Sequence, residues 1–355
     1  MINQQVLLTP TPTFFNDATK GNPALFKAPP AGFRASQFTS VATTSTYDDL
    51  KVKQILNEID GLNDSGTIKE GTPAIFGLNF QAVSVGEKET ASQFNGGGID
   101  NYGNARPDLV SAVAHTDASI GLILDELKKK GLDSSTLVIL TAKHGQNPRQ
   151  DPTVGLSSTF DSVTGVTGGD GNLTAVAALL VKNGIQIASE RGQDTSSLIF
   201  LKNPSDVRKA VALLNAKNYS FDHTIDPKTG VAFSTEDAAA QGPVLYGQSI
   251  INAGLGDPRT SDRTPDIIVP LKTGYFFGNA TKKRAEHGGF TDADTHVALI
   301  AGSTGFSRNL QGKTISKTVS TTQIAPTTLQ VLGLNPQRLQ GVQIDRTQTL
   351  PLNGR

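Results

Sequence analysis

Apolar residues recur with the period of an α-helix over residues 107–130. The apolar positions of this segment fall on one stripe, namely Leu109, Val113, Ile120, Leu124 and Leu127. Pro107 suits the first turn, the lysines at 128–130 suit the negative end, and Gly131 suits a left-handed cap. The spacing therefore predicts a long helix that ends at this glycine.

Continuous apolar runs predict the strands. They lie at residues 74–83, 137–141, 265–269 and 296–302. Because the run at 137–141 does not alternate with polar residues, we expect it to be buried on both faces, as in a parallel sheet covered by helices. Further helices are predicted over residues 48–61 and 321–333. The expected fold class is therefore α/β, with a mostly parallel sheet between helices.

The composition and pattern of the chain change at three points, and these changes predict its domain organisation. Residues 1–46 are rich in Thr, Pro, Ser, Ala and Phe and predict an irregular N-terminal arm. Residues 151–262 mix glycines, short strands and short helices, which is typical of a small α+β insertion. The ranges 47–150 and 263–355 would then form the α/β core, and the inserted cap subdomain could cover a site on it.

Composition excludes several classes of function. The 355 residues contain no cysteine, so thiol chemistry and cysteine-based zinc clusters are excluded. Lys plus Arg and Asp plus Glu both number 32, so no broad basic field favours a nucleic-acid polymer. The chain has no apolar run of membrane-spanning length and no signal-peptide pattern. We expect a soluble protein without membrane contact, in a compartment that the sequence leaves open.

Two short segments far apart in the chain carry the candidate chemistry. Each has a histidine followed by glycine, in Lys143-His144-Gly145 and in Glu286-His287-Gly288. An imidazole beside the C-terminal end of a strand, next to a glycine that relaxes the backbone, is typical of metal and phosphate sites in open α/β sheets. The alternative is that both histidines are structural. We also expect His296 to pack or cap at the start of its strand, with Asp294 as its partner.

The order of several segments resembles that of one large enzyme group. The segments are residues 81–88, 117–121, 137–145, 286–290, 294–297, 324–327 and 332–334. Together they resemble the alkaline phosphatase superfamily, and within it the type I phosphodiesterase/nucleotide pyrophosphatase branch, over most of the chain from Tyr47 onward. The resemblance implies a large, mostly parallel sheet between helices, and two zinc-type ions around a phosphate or sulfate ester.

Only part of the metal-binding pattern of that superfamily carries over. The resemblance implies His287 as the distant histidine ligand of one ion and His144 as the histidine of the Asp-His pair of the other. Lys143 stands where that pair has its aspartate, and Ser84 and Lys88 stand where an aspartate and a histidine are expected. The first aspartate and the hydroxyl nucleophile belong upstream of Tyr47, so the nucleophile is unassigned.

The two lysines change the expected chemistry of the site. An ammonium group has no lone pair and repels a divalent cation, whereas a zinc site needs neutral or anionic donors. A lysine can instead bind phosphate as a point charge. We therefore predict Lys88 and Lys143 as anion-binding residues and His144 and His287 as metal ligands, with zinc absent or at reduced occupancy. The expected partner is a small phosphate or phosphodiester anion.

Three interpretations of function remain open at this point. The chain could be a phosphoric-ester hydrolase of the phosphodiesterase type, which attacks phosphorus in line with metal assistance. It could be a pseudoenzyme that binds a phosphate-bearing anion in a cationic pocket without turnover. It could also be a truncated family member that lacks the segment with its nucleophile.

Overall fold

A computed structural model describes residues 40–89, 97–99, 103–148, 175–193, 195–216, 241–276, 284–306 and 310–352. The chain divides into two compact units. The first contains the described residues of 1–83, 112–143 and 297–355, and the second contains those of 84–111 and 144–296. Most of the predicted N-terminal arm, residues 1–39, lies outside the described part.

The described helices and strands are short except for two helices. The helices are α1 Val41–Ile59, α2 Ala82–Lys88, α3 Pro107–Lys129, α4 Ala175–Lys182, α5 Val207–Ala216, α6 Gln248–Asn252, α7 Asp292–Thr295, α8 Ile324–Val331 and α9 Gln340–Asp345. The strands are β1 Val138–Thr141, β2 Asn147–Pro148, β3 Ile187–Gln193, β4 Ser196–Leu201, β5 Leu245–Tyr246, β6 Ile267–Pro270, β7 Ala285–Glu286 and β8 Leu299–Gly302. Single 3₁₀ turns occupy Pro204–Asp206, Thr321–Gln323 and Pro336–Arg338. None of the described helices has both the length and the hydrophobicity needed to cross a bilayer.

Helix α1 begins seven residues before the predicted start. Ser40 caps it, because its side-chain oxygen accepts a hydrogen bond of 3.2 Å from the N–H of Thr43. The hydroxyl of Thr44 donates back to the carbonyl of Ser40 at 2.8 Å, and that of Thr46 donates to the carbonyl of Ala42 at 3.2 Å. These local bonds let a threonine-rich segment continue a helix that its composition argued against. The predicted arm is therefore wrong for residues 41–46.

The strand predicted at residues 74–83 is wrong. The structure has no strand there, and helix α2 begins at Ala82. The carboxylate of Asp48 accepts hydrogen bonds from the backbone N–H groups of Gln81, at 2.9 Å, and Ala82, at 2.8 Å. A residue on α1 thus satisfies the first N–H groups of α2. Because that partner is remote in sequence, the local apolar pattern gave no sign of the helix start.

All described strand pairs are antiparallel, so the predicted parallel sheet is not confirmed. Strand β1 pairs with β8, β2 pairs with β7, and a four-stranded sheet has the order β3-β4-β6-β5. An apolar run reports burial but not strand direction, which is why the sequence could not settle the point. Burial on both faces also fails for β1, since Leu140 is 40% exposed.

Each unit has an apolar core of its own. In the first unit, Ile55 and Ile59 of α1 pack with Leu127 of α3, and Val138 of β1 lies against them. The core of the second unit lies between its four-stranded sheet and helices α4 and α5. Its fully buried members include Val176, Leu180, Ile187, Ile199, Ala210, Leu214, Ile267 and Val269. Long helix α3 and strand β1 were predicted correctly because their apolar spacing alone determines them.

Candidate functional site

The two histidines of the His-Gly segments meet in the second unit. The rings of His144 and His287 are stacked, with centroids 3.9 Å apart and planes inclined by 27°. Both side chains are half-buried. The fold thus brings together the two imidazoles that the sequence analysis selected.

A short ladder of backbone hydrogen bonds brings the two histidine segments together. Strand β2, which follows His144 by three residues, pairs with strand β7, which directly precedes His287. Asn147 lies opposite Glu286 in this register, and Pro148 lies opposite Ala285. Asn147 is fully buried and its side-chain amide donates to the carbonyls of Lys272 and Tyr275, at 3.2 and 3.1 Å. These bonds fix the ladder in the interior of the unit.

Gly145 is required by a close approach of two backbone segments. Its N–H donates a hydrogen bond of 2.7 Å to the carbonyl of Asp294 in α7. A Cβ at position 145 would overlap the carbonyl oxygen of Ala293. The segment that carries His144 can therefore reach α7 only because residue 145 has no side chain.

Asp294 organises the loop that follows His287. Its buried carboxylate accepts hydrogen bonds from the hydroxyl of Thr195 at 3.1 Å, the N–H of Gly289 at 3.2 Å and the hydroxyl of Thr291 at 2.8 Å. The predicted pairing of Asp294 with His296 is wrong, since the described bonds of its carboxylate go to these groups. Sequence reasoning missed this role because the signal, the capping box that Thr291 and Asp294 form, lies in a helix of four residues.

The start of β4 supports the same loop from the other side. The hydroxyl of Ser196 donates a hydrogen bond of 2.7 Å to the carbonyl of Gly288, the residue after His287. A Cβ at Gly289 would lie 2.6 Å from a carboxylate oxygen of Asp294 and 2.7 Å from the hydroxyl of Thr195. Thr195, Ser196 and Asp294 therefore hold the glycine pair after His287 in one conformation.

The hydrogen bond of His144 defines which ring nitrogen is left for a ligand. Its Nδ1 lies 2.8 Å from the carbonyl oxygen of Gly145. Because a carbonyl oxygen only accepts, Nδ1 carries the proton in this bond. The other nitrogen, Nε2, keeps its lone pair in the neutral ring, and a backbone carbonyl on the opposite nitrogen is the usual arrangement of a metal-binding histidine.

The stacked pair does not by itself fit the two-ion centre that the resemblance implies. The resemblance places the two histidines on different ions, and each zinc-type ion needs further neutral or anionic donors besides one imidazole. Within the described ranges, no group of three or more His, Asp or Glu side chains is arranged to hold a metal ion. The role of His144 and His287 as metal ligands stays a prediction.

Lys88 faces a buried carboxylate. Its ammonium nitrogen lies 3.7 Å from Oε2 of Glu286, whose side chain is 1% exposed. Sequence reasoning missed Glu286, although it directly precedes His287. Any anion that binds Lys88 must therefore compete with Glu286, and the proposed anion-binding role of Lys88 depends on that competition.

Ser84 and Lys143 occupy different surroundings. The hydroxyl of Ser84 accepts a hydrogen bond of 3.0 Å from the side-chain amide of Gln146, two residues after His144. The position at which the resemblance implies an aspartate thus touches the His144 segment. Lys143 is exposed at the end of the first unit, and its ammonium group has no ion-pair or hydrogen-bond partner among the residues that the structure covers.

A cleft in the first unit is lined by none of these residues. It has a volume of about 770 Å³ and is lined within the first unit by residues of the C-terminal segment, including Lys317, Gln323 and Arg346. None of the candidate site residues lines it.

Comparisons with known proteins agree with the resemblance. A family model described as type I phosphodiesterase/nucleotide pyrophosphatase matches residues 97–296, more than half of the chain. No curated protein matches the chain.

Similar solved structures are distant in sequence. Human ectonucleotide pyrophosphatase/phosphodiesterase 5 has 14% identity and a TM-score of 0.41, with coverage of 70% of this chain and 51% of that one. The murine protein has 13% identity and a TM-score of 0.47, with coverage of 81% and 59%. An inactive murine variant in complex with AMP has 12% identity and a TM-score of 0.45, with the same coverage of 81% and 59%. The aligned region thus spans about half to three fifths of the length of these proteins. On the strength of the match over residues 97–296, the chain belongs to the type I phosphodiesterase/nucleotide pyrophosphatase family of the alkaline phosphatase superfamily, whose members of this type are metal-dependent hydrolases.

Proposed function

We propose that this chain recognises a small phosphate ester or phosphodiester at the His144–His287 pair, and that this recognition does not require two bound zinc ions. The family to which the chain belongs supports phosphoric esters as the ligand class. The observation that carries the proposal is the stacked pair itself, with Nδ1 of His144 bound to the carbonyl of Gly145. Nε2 of His144 is then the nitrogen left to meet the ligand, and it donates to a phosphate oxygen in the protonated ring, in which both ring nitrogens are donors.

The residue before His144 in the chain supports an anion as the ligand. Lys143 directly precedes His144 in the chain and is exposed without a described partner. An ammonium group can bind a phosphate oxygen and cannot bind zinc. Lys88 contributes in this scheme only when the ligand draws its ammonium away from Glu286, because the two are already 3.7 Å apart.

Titration calorimetry of the chelator-treated protein with bis(p-nitrophenyl) phosphate tests the proposal. We expect binding to the wild type, and a loss of about tenfold or more in affinity for His144→Ala and Lys143→Ala, since charge-assisted contacts are lost. His296→Ala and Lys128→Ala are matched controls, because both side chains are exposed and lie outside the pair. Equal affinity in all five proteins would show that the pair is structural.

Hydrolysis is the second candidate, and one observation favours it. The bond from Nδ1 of His144 to a backbone carbonyl leaves Nε2 with a lone pair, as in metal-binding histidines. Zinc content by mass spectrometry and release of p-nitrophenol from the same diester decide between the two candidates. Two zinc ions per chain together with zinc-dependent turnover would establish the hydrolase. Binding to the metal-free protein without turnover would establish the recognition protein.

A further inference from the structure

Two arginines of the second unit flank one glycine. The backbone N–H of Arg106 donates a hydrogen bond of 2.9 Å to the carbonyl of Gly98. On the other side, a Cβ at Gly98 would lie 3.2 Å from Cβ and 3.3 Å from Cδ of Arg284. Gly98 also has a φ of +69°, which favours glycine. The side chain of Arg284 therefore packs against Gly98, at the point where any other residue would carry its Cβ. This point is next to the segment that carries Arg106.

Neither guanidinium group has an ion-pair partner within the described ranges. Nε of Arg284 is buried and has no hydrogen-bond partner there, and Nε of Arg106 makes one long bond of 3.4 Å, to the carbonyl of Ile99. Burial lowers the pKa of Arg284, and the charge of Arg106 lowers it further. The guanidinium of Arg284 nevertheless stays charged, because an arginine side chain is not deprotonated in proteins.

A lysine and a glutamate close to Arg284 in the chain or in space are paired with each other. The backbone N–H of Arg284 donates to the carbonyl of Lys88 at 2.9 Å, which places the two residues side by side. The ammonium of Lys88 lies 3.7 Å from the carboxylate of Glu286.

We propose that Arg106 and Arg284 form a binding site for a phosphate group. A tetrahedral oxyanion accepts hydrogen bonds on several oxygens, so it can bridge two guanidinium forks and cancel their mutual repulsion. The site shares no residue with the histidine pair, since Arg284 directly precedes the two residues of β7 and His287 directly follows them.

Calorimetry of the chelator-treated full chain with inorganic phosphate tests this assignment. We expect Arg284→Gln and Arg106→Gln each to remove the same phosphate site, and Arg284→Lys, which keeps the charge but loses the fork, to weaken it by about tenfold. Arg263→Gln, an exposed arginine of the same unit, is the matched control. His144→Ala should leave the arginine site intact. Loss of the arginine site and loss of the histidine site are therefore measured separately.

Thermal unfolding at low ionic strength gives a second readout. Without phosphate, Arg284→Gln should unfold at the same temperature as the wild type or higher, because one of two repelling charges is gone. Added phosphate should raise the unfolding temperature of the wild type and of Arg263→Gln by more than that of Arg284→Gln. Equal phosphate stoichiometry, affinity and stabilisation in the wild type and in both glutamine variants would overturn the proposal.

Discussion

The carbonyl oxygen of Asp294 accepts a hydrogen bond of 2.7 Å from the N–H of Gly145. Through its carboxylate, the same aspartate holds the N–H of Gly289 and the hydroxyl of Thr195. One residue thus connects the segment that carries His144 to the loop that follows His287. We therefore expect the stacked geometry of the two imidazoles to depend on this connection.

Replacement of Gly145 by alanine should separate the two histidine segments. The new Cβ would overlap the carbonyl oxygen of Ala293. Because the backbone fixes the positions of both atoms, α7 or the His144 segment must move. We expect a loss of about 1–3 kcal/mol in the free energy of unfolding, as for other overpacked sites. Urea unfolding measures it, and ring-to-ring NOEs between His144 and His287 report the separation.

Gly121→Ala is the control for that substitution. Gly121 lies in helix α3, and a Cβ there would meet no atom within 4 Å. Alanine should therefore stabilise the protein by about 0.5–1 kcal/mol through helix propensity. If Gly145→Ala behaves like Gly121→Ala, then the close approach to α7 does not constrain the site.

Asp294→Asn should loosen the loop after His287 more than Asp292→Asn does. An amide can replace only part of the acceptor capacity of a carboxylate that serves Thr195, Gly289 and Thr291. We expect a loss of about 1–3 kcal/mol, the range for buried groups left without a partner. Asp292 is exposed on the same helix and should change stability little.

Hydrogen exchange gives the readout that distinguishes positioning from general stability. In Asp294→Asn, the amide of Gly289 should exchange faster, while amides in the β3-β4 sheet keep their protection. A uniform rise in exchange across the second unit would mean that Asp294 supports the whole unit and has no particular role in the loop.

Helix α3, strand β1 and the meeting of His144 with His287 could be predicted from sequence. The helix and strand follow from local spacing, and the histidines follow from two similar motifs. Strand direction could not be predicted, because the apolar run at β1 is the same for a parallel or an antiparallel partner. The start of α2 and the role of Asp294 could not be predicted either. Both depend on side chains that bind backbone groups of other segments, at Gln81 and Ala82 for one and at Gly289 for the other.

The contact between Lys88 and Glu286 should be visible as a coupling energy. Because the carboxylate of Glu286 is almost fully buried, Lys88→Met leaves a charge in the interior and should cost about 1–3 kcal/mol, less than for a fully buried pair since Lys88 is partly exposed. Glu286→Gln removes that charge, so the double variant should recover part of the loss. A double-mutant cycle from urea unfolding measures the coupling, and strictly additive effects would exclude a direct interaction.

Ionisation of Glu58 should lower the free energy of unfolding, so this residue should favour the folded state more in mild acid than at neutral pH. Its side chain on α1 is 3% exposed, and Oε2 has no hydrogen-bond partner in the part of the chain that the structure describes. Burial raises the pKa of Glu58, and the charges of Asp64 and Glu70 raise it further.

A carboxyl whose pKa is raised on folding binds its proton more tightly in the folded state, so its ionisation destabilises the fold. The penalty is absent below the pKa of the unfolded chain, grows as pH rises through the folded pKa, and is constant above it. Glu58→Gln should therefore raise the unfolding temperature at pH 7 and leave it nearly unchanged at pH 4. Glu70→Gln, at an exposed position, should show a smaller gain. Thermal unfolding across this pH range measures both, and a gain for Glu58→Gln that is equal at the two pH values would rule out ionisation of this group as the cause.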